Sequence, residues 1–312
     1  MLRKLRIFYH SNKAKVWFTI GIIIFIYVII RFWNAGIKME NDKAREEAAN
    51  NSINNSNVQT GPSTNTAVIS GTTISDNTLK KDTEIIKQFI EDCNTNNIDE
   101  AYSLLSEDCK DELYKTESEF ETNYVKQIFN QSRSYDVQAW VTSADAVTYK
   151  VKYIDDIMAT GVTNEEYIEE YITVIKENND KKLNLSQFIK KDNINRIIKK
   201  GDLEVNIINR YIYNEYEEYE IKFTNHGKSP IKLDTKNETD SVYVEDKNNV
   251  KYDWFGNEVP DEYLTINETE SRTFRVKFNK VYSLNKKDSK IYFTDVHIGD
   301  ESNKINLEMN VQ

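Results

Sequence analysis

Apolar and polar positions divide residues 16–312 into four stretches. From Val16 to Trp33 apolar residues run almost unbroken, and Arg31 is the only charge. This run approaches the ~20 residues that a helix needs to cross a bilayer core. From 34 to 78 the apolar signal fades. Lys38 to Asn50 is charged, and Asn51 to Asn77 is rich in Asn, Ser and Thr. Such composition buries too little surface to fold and predicts a flexible tether.

From 79 to 199 the period is first helical and then two. Ile86, Phe89, Ile90 and Cys93 predict a helix over 79–94. Asn97, with Glu100 three residues on, predicts a capped second helix that buries Ile98, Ala101, Tyr102 and Leu105. Ser118 and Glu121 open a third, burying Phe120, Tyr124 and Ile128. Tyr135, Val137, Ala139 and Val141 then alternate with polar residues, as do Val147, Tyr149, Val151 and Tyr153. Further strands are predicted near 167–176 and 182–189, joined by the turn Asn178-Asn179-Asp180. Three helices followed by a strand meander predict an α+β domain over 79–199. From 200 to 312 the pattern is all strand. Leu203, Val205 and Ile207 alternate with polar neighbours, as do Tyr219, Ile221 and Phe223. Further strands are expected near Val242, Tyr252, 274–278, 291–296 and 305–309. About seven short strands predict an immunoglobulin-like sandwich.

Charge orients the apolar run. Arg3, Lys4, Arg6, Lys13 and Lys15 precede it and no acid does. The positive-inside rule leaves residues 1–15 as a cytoplasmic tail and everything after Trp33 outside the cell. A retained single-pass anchor over 16–33 is expected rather than a cleaved signal. Trp33 stands where a cleavage site wants a small residue, and no Cys follows for lipid attachment. Trp17, Arg31 and Trp33 read as interfacial anchors, with Arg31 snorkelling to the headgroups. The expected localisation is therefore the cell membrane, with the membrane itself as one partner.

The net charge is −10 although the basic tail is positive. So acidic an outer region repels polyanions, and no nucleic-acid partner is expected. Asn, Ile, Lys and Tyr are abundant while Gly and Pro are scarce, a bias that low-GC Gram-positive genomes produce. Cys93 and Cys109 are read as unpaired, the first buried and the second partly exposed.

The segment Ile86-Lys87-Gln88-Phe89-Ile90 through Asp99-Glu100-Ala101-Tyr102-Ser103-Leu104-Leu105-Ser106 resembles the opening of NTF2-like domains. In that family a first helix and a short second one precede a curved sheet that closes a cone. Similar domains occur outside the membrane in TcpC-like conjugation proteins, TcaA-like envelope proteins and the N-terminal region of MecA-type penicillin-binding proteins. This chain departs from each: it has no zinc ribbon, no transpeptidase domain and one NTF2-like unit. The stretches Tyr219-Glu220-Ile221-Lys222-Phe223-Thr224-Asn225, Leu264-Thr265-Ile266-Asn267-Glu268 and Phe274-Arg275-Val276 look like DUF4352-type immunoglobulin-like domains. The resemblances imply an α+β NTF2-like cone plus an all-β immunoglobulin-like sandwich, accessory or interaction roles, and self-association through the open sheet face.

Motifs for chemistry are sparse. Gly227-Lys228-Ser229 matches the tail of a P-loop, but Lys222 stands where its first Gly belongs. His10, His226 and His297 are far apart, so a zinc site is unsupported. The acidic stretches 215–220 and 234–246 lack EF-hand spacing, which leaves exposed charge rather than a Ca²⁺ site. Tyr149 and Tyr153, with Asp155 or Asp156 nearby, are the candidate cone-pocket residues, though alternating aromatics are ordinary sheet core. The expectation is a non-enzymatic interaction or scaffold protein of the cell envelope, without cofactor or metal, in a conjugation or wall-associated complex with other envelope proteins. Its rival is a receptor that holds a small molecule or wall fragment in the cone.

Overall fold

The computed structural model describes residues 64–143, 146–155, 167–233, 241–282, 288–299 and 303–311. All of them lie in one compact unit, Gln59–Gln312. Its polypeptide is predominantly β, in antiparallel sheets of four, six and four strands.

Among the described residues the α-helices are confined to the first third of this unit, and two short 3-10 turns (Gly256–Glu258 and Asp261–Leu264) lie further on. Helix α1 (Asp76–Asn94) starts where Ser75 accepts a hydrogen bond from the Thr78 amide at 3.2 Å. It buries Ile86, Phe89, Ile90 and Cys93, the face that the periodicity picked out, and Asp82 with them. The rest is broken into short pieces: α2 (Ile98–Ser103), α3 (Glu107–Leu113), α4 (Glu117–Phe120), a π-helical turn (Glu121–Val125) and α5 (Lys126–Ile128). Asn97 does stand at the α2 N-cap, but its side chain makes no capping bond. The caps lie elsewhere. Ser106 Oγ accepts from the Cys109 amide at 3.0 Å, and Thr116 Oγ1 from the Glu119 amide at 3.2 Å.

Strands β1 (Arg133–Thr142), β2 (Ala146–Asp155), β3 (Tyr167–Glu177) and β4 (Asp180–Asn184) form the first sheet in chain order. Tyr135 lies opposite Tyr153, and Ala139 opposite Tyr149, so the inward residues pair across strands. Phe89, Phe120, Tyr124, Tyr149 and Tyr153 belong to the first core, which the helices and this sheet enclose. Part of the expected tether is built into the same unit. The Val68 and Ile69 amides donate to the Ala139 and Trp140 carbonyls at 3.1 and 2.8 Å, and Ala67 and Ile74 are buried. That end of the tether is ordered because it covers the edge of β1.

The strand expected over 182–189 breaks at Ser186 and Gln187, both with positive φ (53° and 66°). The chain that follows leaves the first sheet as β5 (Phe188–Lys200) and pairs with β6 (Leu203–Tyr213). A second sheet has the order β12 (Ser271–Phe278), β7 (Glu217–Asn225), β6, β5. The third contains β8 (Ile231–Lys232), β9 (Val242–Asp246), β10 (Lys251–Asp253), β11 (Thr265–Ile266), β13 (Asp288–Ile298) and β14 (Lys304–Asn310). Both sheets contribute to a second core that includes Val205, Ile207, Tyr219, Phe223, Val244, Val276, Ile291 and Phe293.

The expected fold class and localisation are corrected. An α+β NTF2-like cone is not formed, because the strand needed to extend its sheet turns away at Ser186-Gln187 and the helices beyond α1 are short. The boundary expected at 199/200 falls at the tip of a hairpin within one sheet. The membrane anchor over 16–33, with Trp17, Arg31 and Trp33, lies outside the described residues. Among those described, no helix is long and apolar enough to cross a membrane. The single-pass localisation and the envelope setting derived from it are accordingly not carried forward.

Phe223 is fully buried, stacked on Phe274 at 5.2 Å and edge-on to Phe293 at 5.4 Å. Phe223→Ala is expected to cost about 3–5 kcal/mol in urea unfolding, the usual loss for a buried Phe. A loss below ~1 kcal/mol would show that this core is not packed as described.

Candidate functional site

The sequence candidates Tyr149, Tyr153 and Asp155 do not meet in an open pocket. Both Tyr side chains are buried in the first core, since inward positions of β2 face α1 and the π-helical turn. The Tyr149 hydroxyl donates to Asp82 Oδ2 at 2.9 Å, and Lys181 Nζ lies 2.9 Å from the other Asp82 oxygen. Asp155, at the end of β2, forms an ion pair with Arg133. Burial, with Asp82 beside it, pushes the Tyr149 hydroxyl far above the ordinary phenol range.

Tyr153 belongs to a different cluster. Its hydroxyl lies 3.2 Å from that of Tyr124, and Tyr124 donates to Glu170 Oε2. The Ser186 amide donates to Glu170 Oε1 at 3.0 Å. This carboxyl is 7% exposed, and desolvation by burial raises it from 4.5 to about 7 even though three hydrogen bonds pull the other way. Sequence reasoning missed both buried acids, yet each left a signal. Glu170 falls in the inward phase of β3 between Ile168 and Ile172. Asp82 occupies the apolar face of α1, four residues before Ile86.

Cys93 and Cys109 are both free and both buried. The partial exposure expected for Cys109 is corrected, because α3 turns it inward. Burial raises the Cys109 thiol to about 12 and Cys93 higher still, so neither is a ready nucleophile. Gly227-Lys228-Ser229 sits in the turn after β7, where the Gly227 amide donates to Asn225 Oδ1 at 2.9 Å. Asp246 spends Oδ1 on the Asn248 and Val250 amides at 2.8 and 3.0 Å, closing the β9–β10 turn. Among the described residues no group of three His, Cys, Asp or Glu is placed to hold a metal.

The accessible feature is elsewhere. A half-open hollow of about 350 Å³ is lined by Ile69, Trp140, Val141, Tyr171, Asn214, Glu215, Asn279, Val281 and Tyr282. Its size lies at the lower end of the roughly 300–1,000 Å³ usual for small-molecule sites. Trp140 on β1 and Tyr171 on β3 form one wall, with ring centroids 5.5 Å apart and planes tilted by 56°. The opposite wall is the 279–282 segment after β12, and three bonds fix it. The Asn279 amide donates to Asp253 O at 3.0 Å, the Tyr282 amide to Asn214 O at 3.0 Å, and Lys280 Nζ lies 2.7 Å from the Glu217 carboxylate. Ile69 and Val281 are more than half exposed at the rim. Trp140 stands in a strand that the sequence predicted. The second wall comes from beyond residue 200 and no spacing rule could have joined the two.

No family model and no curated protein matches the chain. Among solved structures, a conserved hypothetical protein from Bacillus anthracis is similar at 15% identity, over 39% of this chain and 96% of that one. The TM-score is 0.25, a likeness too weak to carry an argument.

Glu170 makes stability depend on pH. Its folded-state value is raised, so the fold favours the neutral carboxyl. The contribution is full below the unfolded value of 4.5 and is lost as pH rises through about 7. Urea midpoints measured from pH 4.5 to 8 are expected to fall across this window. Glu170→Gln, which keeps the shape without the ionisation, is expected to flatten that fall. An unchanged pH profile in the variant would show that Glu170 does not titrate there.

Proposed function

We propose that the chain is a non-enzymatic recognition module that acts as an interaction or scaffold protein and engages its target at the hollow between its two cores. One observation carries this reading. The candidate acid–base and nucleophilic groups of the first domain are enclosed in packed core, whereas the accessible concavity offers aromatic, aliphatic and amide surface with one carboxylate. Tyr149, Tyr153, Glu170, Cys93 and Cys109 are all buried. Around the hollow, Glu215 is the one charged side chain among the described lining residues. Catalysis of proton transfer needs a base within hydrogen-bond reach of its substrate, and a core carboxyl has no such access. Exposed apolar side chains beside a formed concavity are, by contrast, a usual mark of binding.

The rival reading placed a ligand inside the first domain, next to Tyr149 and Tyr153. Those side chains pack against Asp82, Tyr124 and Phe129 instead, so a ligand-binding role belongs to the hollow if it belongs anywhere. Photo-crosslinking tests the reading. A photoreactive residue in place of Val281, compared with one at Ile197 (exposed on β5), is expected to give adducts in cells from position 281 alone. Equal labelling from both positions, or none from 281, would contradict recognition at the hollow.

A further inference from the structure

The lining of the hollow defines what chemistry it can hold. Asn214 is the distinctive member. It is only 8% exposed, and both its backbone groups are occupied: its amide donates to Gln187 O at 2.9 Å and its carbonyl accepts from the Tyr282 amide. Its side-chain amide makes no hydrogen bond to the described residues, and neither of its polar atoms is fully enclosed, so it meets solvent at the hollow. A primary amide turned to the hollow with no partner in the protein is open to a bound group that can both accept and donate. Asn279 and Glu215 stand exposed beside it.

Each ligand class meets this arrangement differently. An anion is repelled by Glu215, and none of the described lining residues is cationic. A quaternary ammonium would use the faces of Trp140, Tyr171 and Tyr282 but carries no donor or acceptor for the Asn214 amide. The Trp140 and Tyr171 planes are tilted by 56° and do not clamp a flat heterocycle between them, so such a ring gains stacking contact on one face alone. A sugar ring satisfies every part. Its C–H face packs on an aromatic ring, and its hydroxyls both donate and accept, which matches the Asn214 and Asn279 amides and the Glu215 carboxylate.

We infer that the hollow is a saccharide-binding site in which Trp140 and Tyr171 supply the stacking wall and Asn214 reads the hydroxyls of a neutral sugar. This rests on the hollow being the recognition surface. Tyr282 completes the 279–282 wall, held there by its backbone amide on Asn214 O. The site is shallow and holds little more than one ring in contact. Weak binding is therefore expected, with dissociation constants of roughly 10 μM to 1 mM, typical when few contacts are made.

The full chain labelled with fluorotryptophan, with the Trp140 signal assigned through Trp140→Phe, provides the test. The probes are chitotriose, cellotriose, maltotriose and mannotriose, with choline and trigalacturonic acid as charged comparators. At least one neutral trisaccharide is expected to shift the Trp140 signal saturably, and the two charged probes are not. Asn214→Ala is expected to weaken that binding about ten-fold or more, which is ~1.4 kcal/mol. Asn279→Ala, at an exposed position where folding is not at stake, is expected to weaken it several-fold. Those two results together support the assignment. A response to choline alone overturns the sugar but leaves the hollow as the recognition surface. Sugar binding that survives both Asn variants unchanged also overturns the assignment. Silence from every probe overturns it too, and if Val281 also gives no adducts the recognition reading falls with it.

Discussion

The β5–β6 hairpin is the constraint on which the rest of the molecule depends. Its two strands run from one core to the other. At the open end Phe188 and Tyr213 pack against each other across the pair, with ring centroids 5.4 Å apart and planes tilted by 55°, inside the first core. Towards the tip Leu203, Val205 and Ile207 belong to the second core, with Ile194 and Ile198 packed against it. The ladder is not straight. It shifts register between Asn193 and Arg196, where Asn195 takes a positive φ of 48°, and such a bulge lets one long strand serve two differently oriented cores. Neither core can be removed without exposing half of the hairpin.

A second link joins the two cores. Glu112 on α3 accepts from the Tyr213 hydroxyl at 2.9 Å and from both terminal nitrogens of Arg275 on β12. Arg275 lies 3.9 Å from the centre of the Tyr211 ring. A bidentate guanidinium stacked on an aromatic ring fixes orientation more firmly than a lone ion pair does. The hollow follows from this geometry. One wall is first-sheet strand, the other is the segment just past β12, and Asn214 at the β6–β7 turn lies between them. Recognition at this place is thus a property of the junction and of neither core alone.

Much of the fold was legible in the sequence. The periods of helix α1 and of β1, β2, β6 and β7 came through because each buries one clean face, as Ile86-Phe89-Ile90-Cys93 and Tyr219-Ile221-Phe223 do. Helix α3 was missed. Its seven residues carry too few apolar positions to show a period, and its cap, Ser106, reads like the end of the helix before. The cone failed for a local reason, the two left-handed residues Ser186 and Gln187, neither of which is a glycine that would have announced a break. The tether was read from composition alone. Composition does not register that Ala67 and Ile74 have a sheet edge to cover. The candidate site was the least legible part. Tyr149 and Tyr153 were correctly suspected of being core filling, while Trp140, Tyr171 and Asn214 are distant in sequence and meet only because the hairpin brings the two cores together.

Differential scanning calorimetry of the full chain tests most directly whether the hairpin makes the two cores one structure. A single transition with equal calorimetric and van 't Hoff enthalpies is the expected result, since melting either core would strip the shared strands. Two separable transitions, with the first core melting while the second persists, would contradict the account and leave the hollow without a fixed second wall.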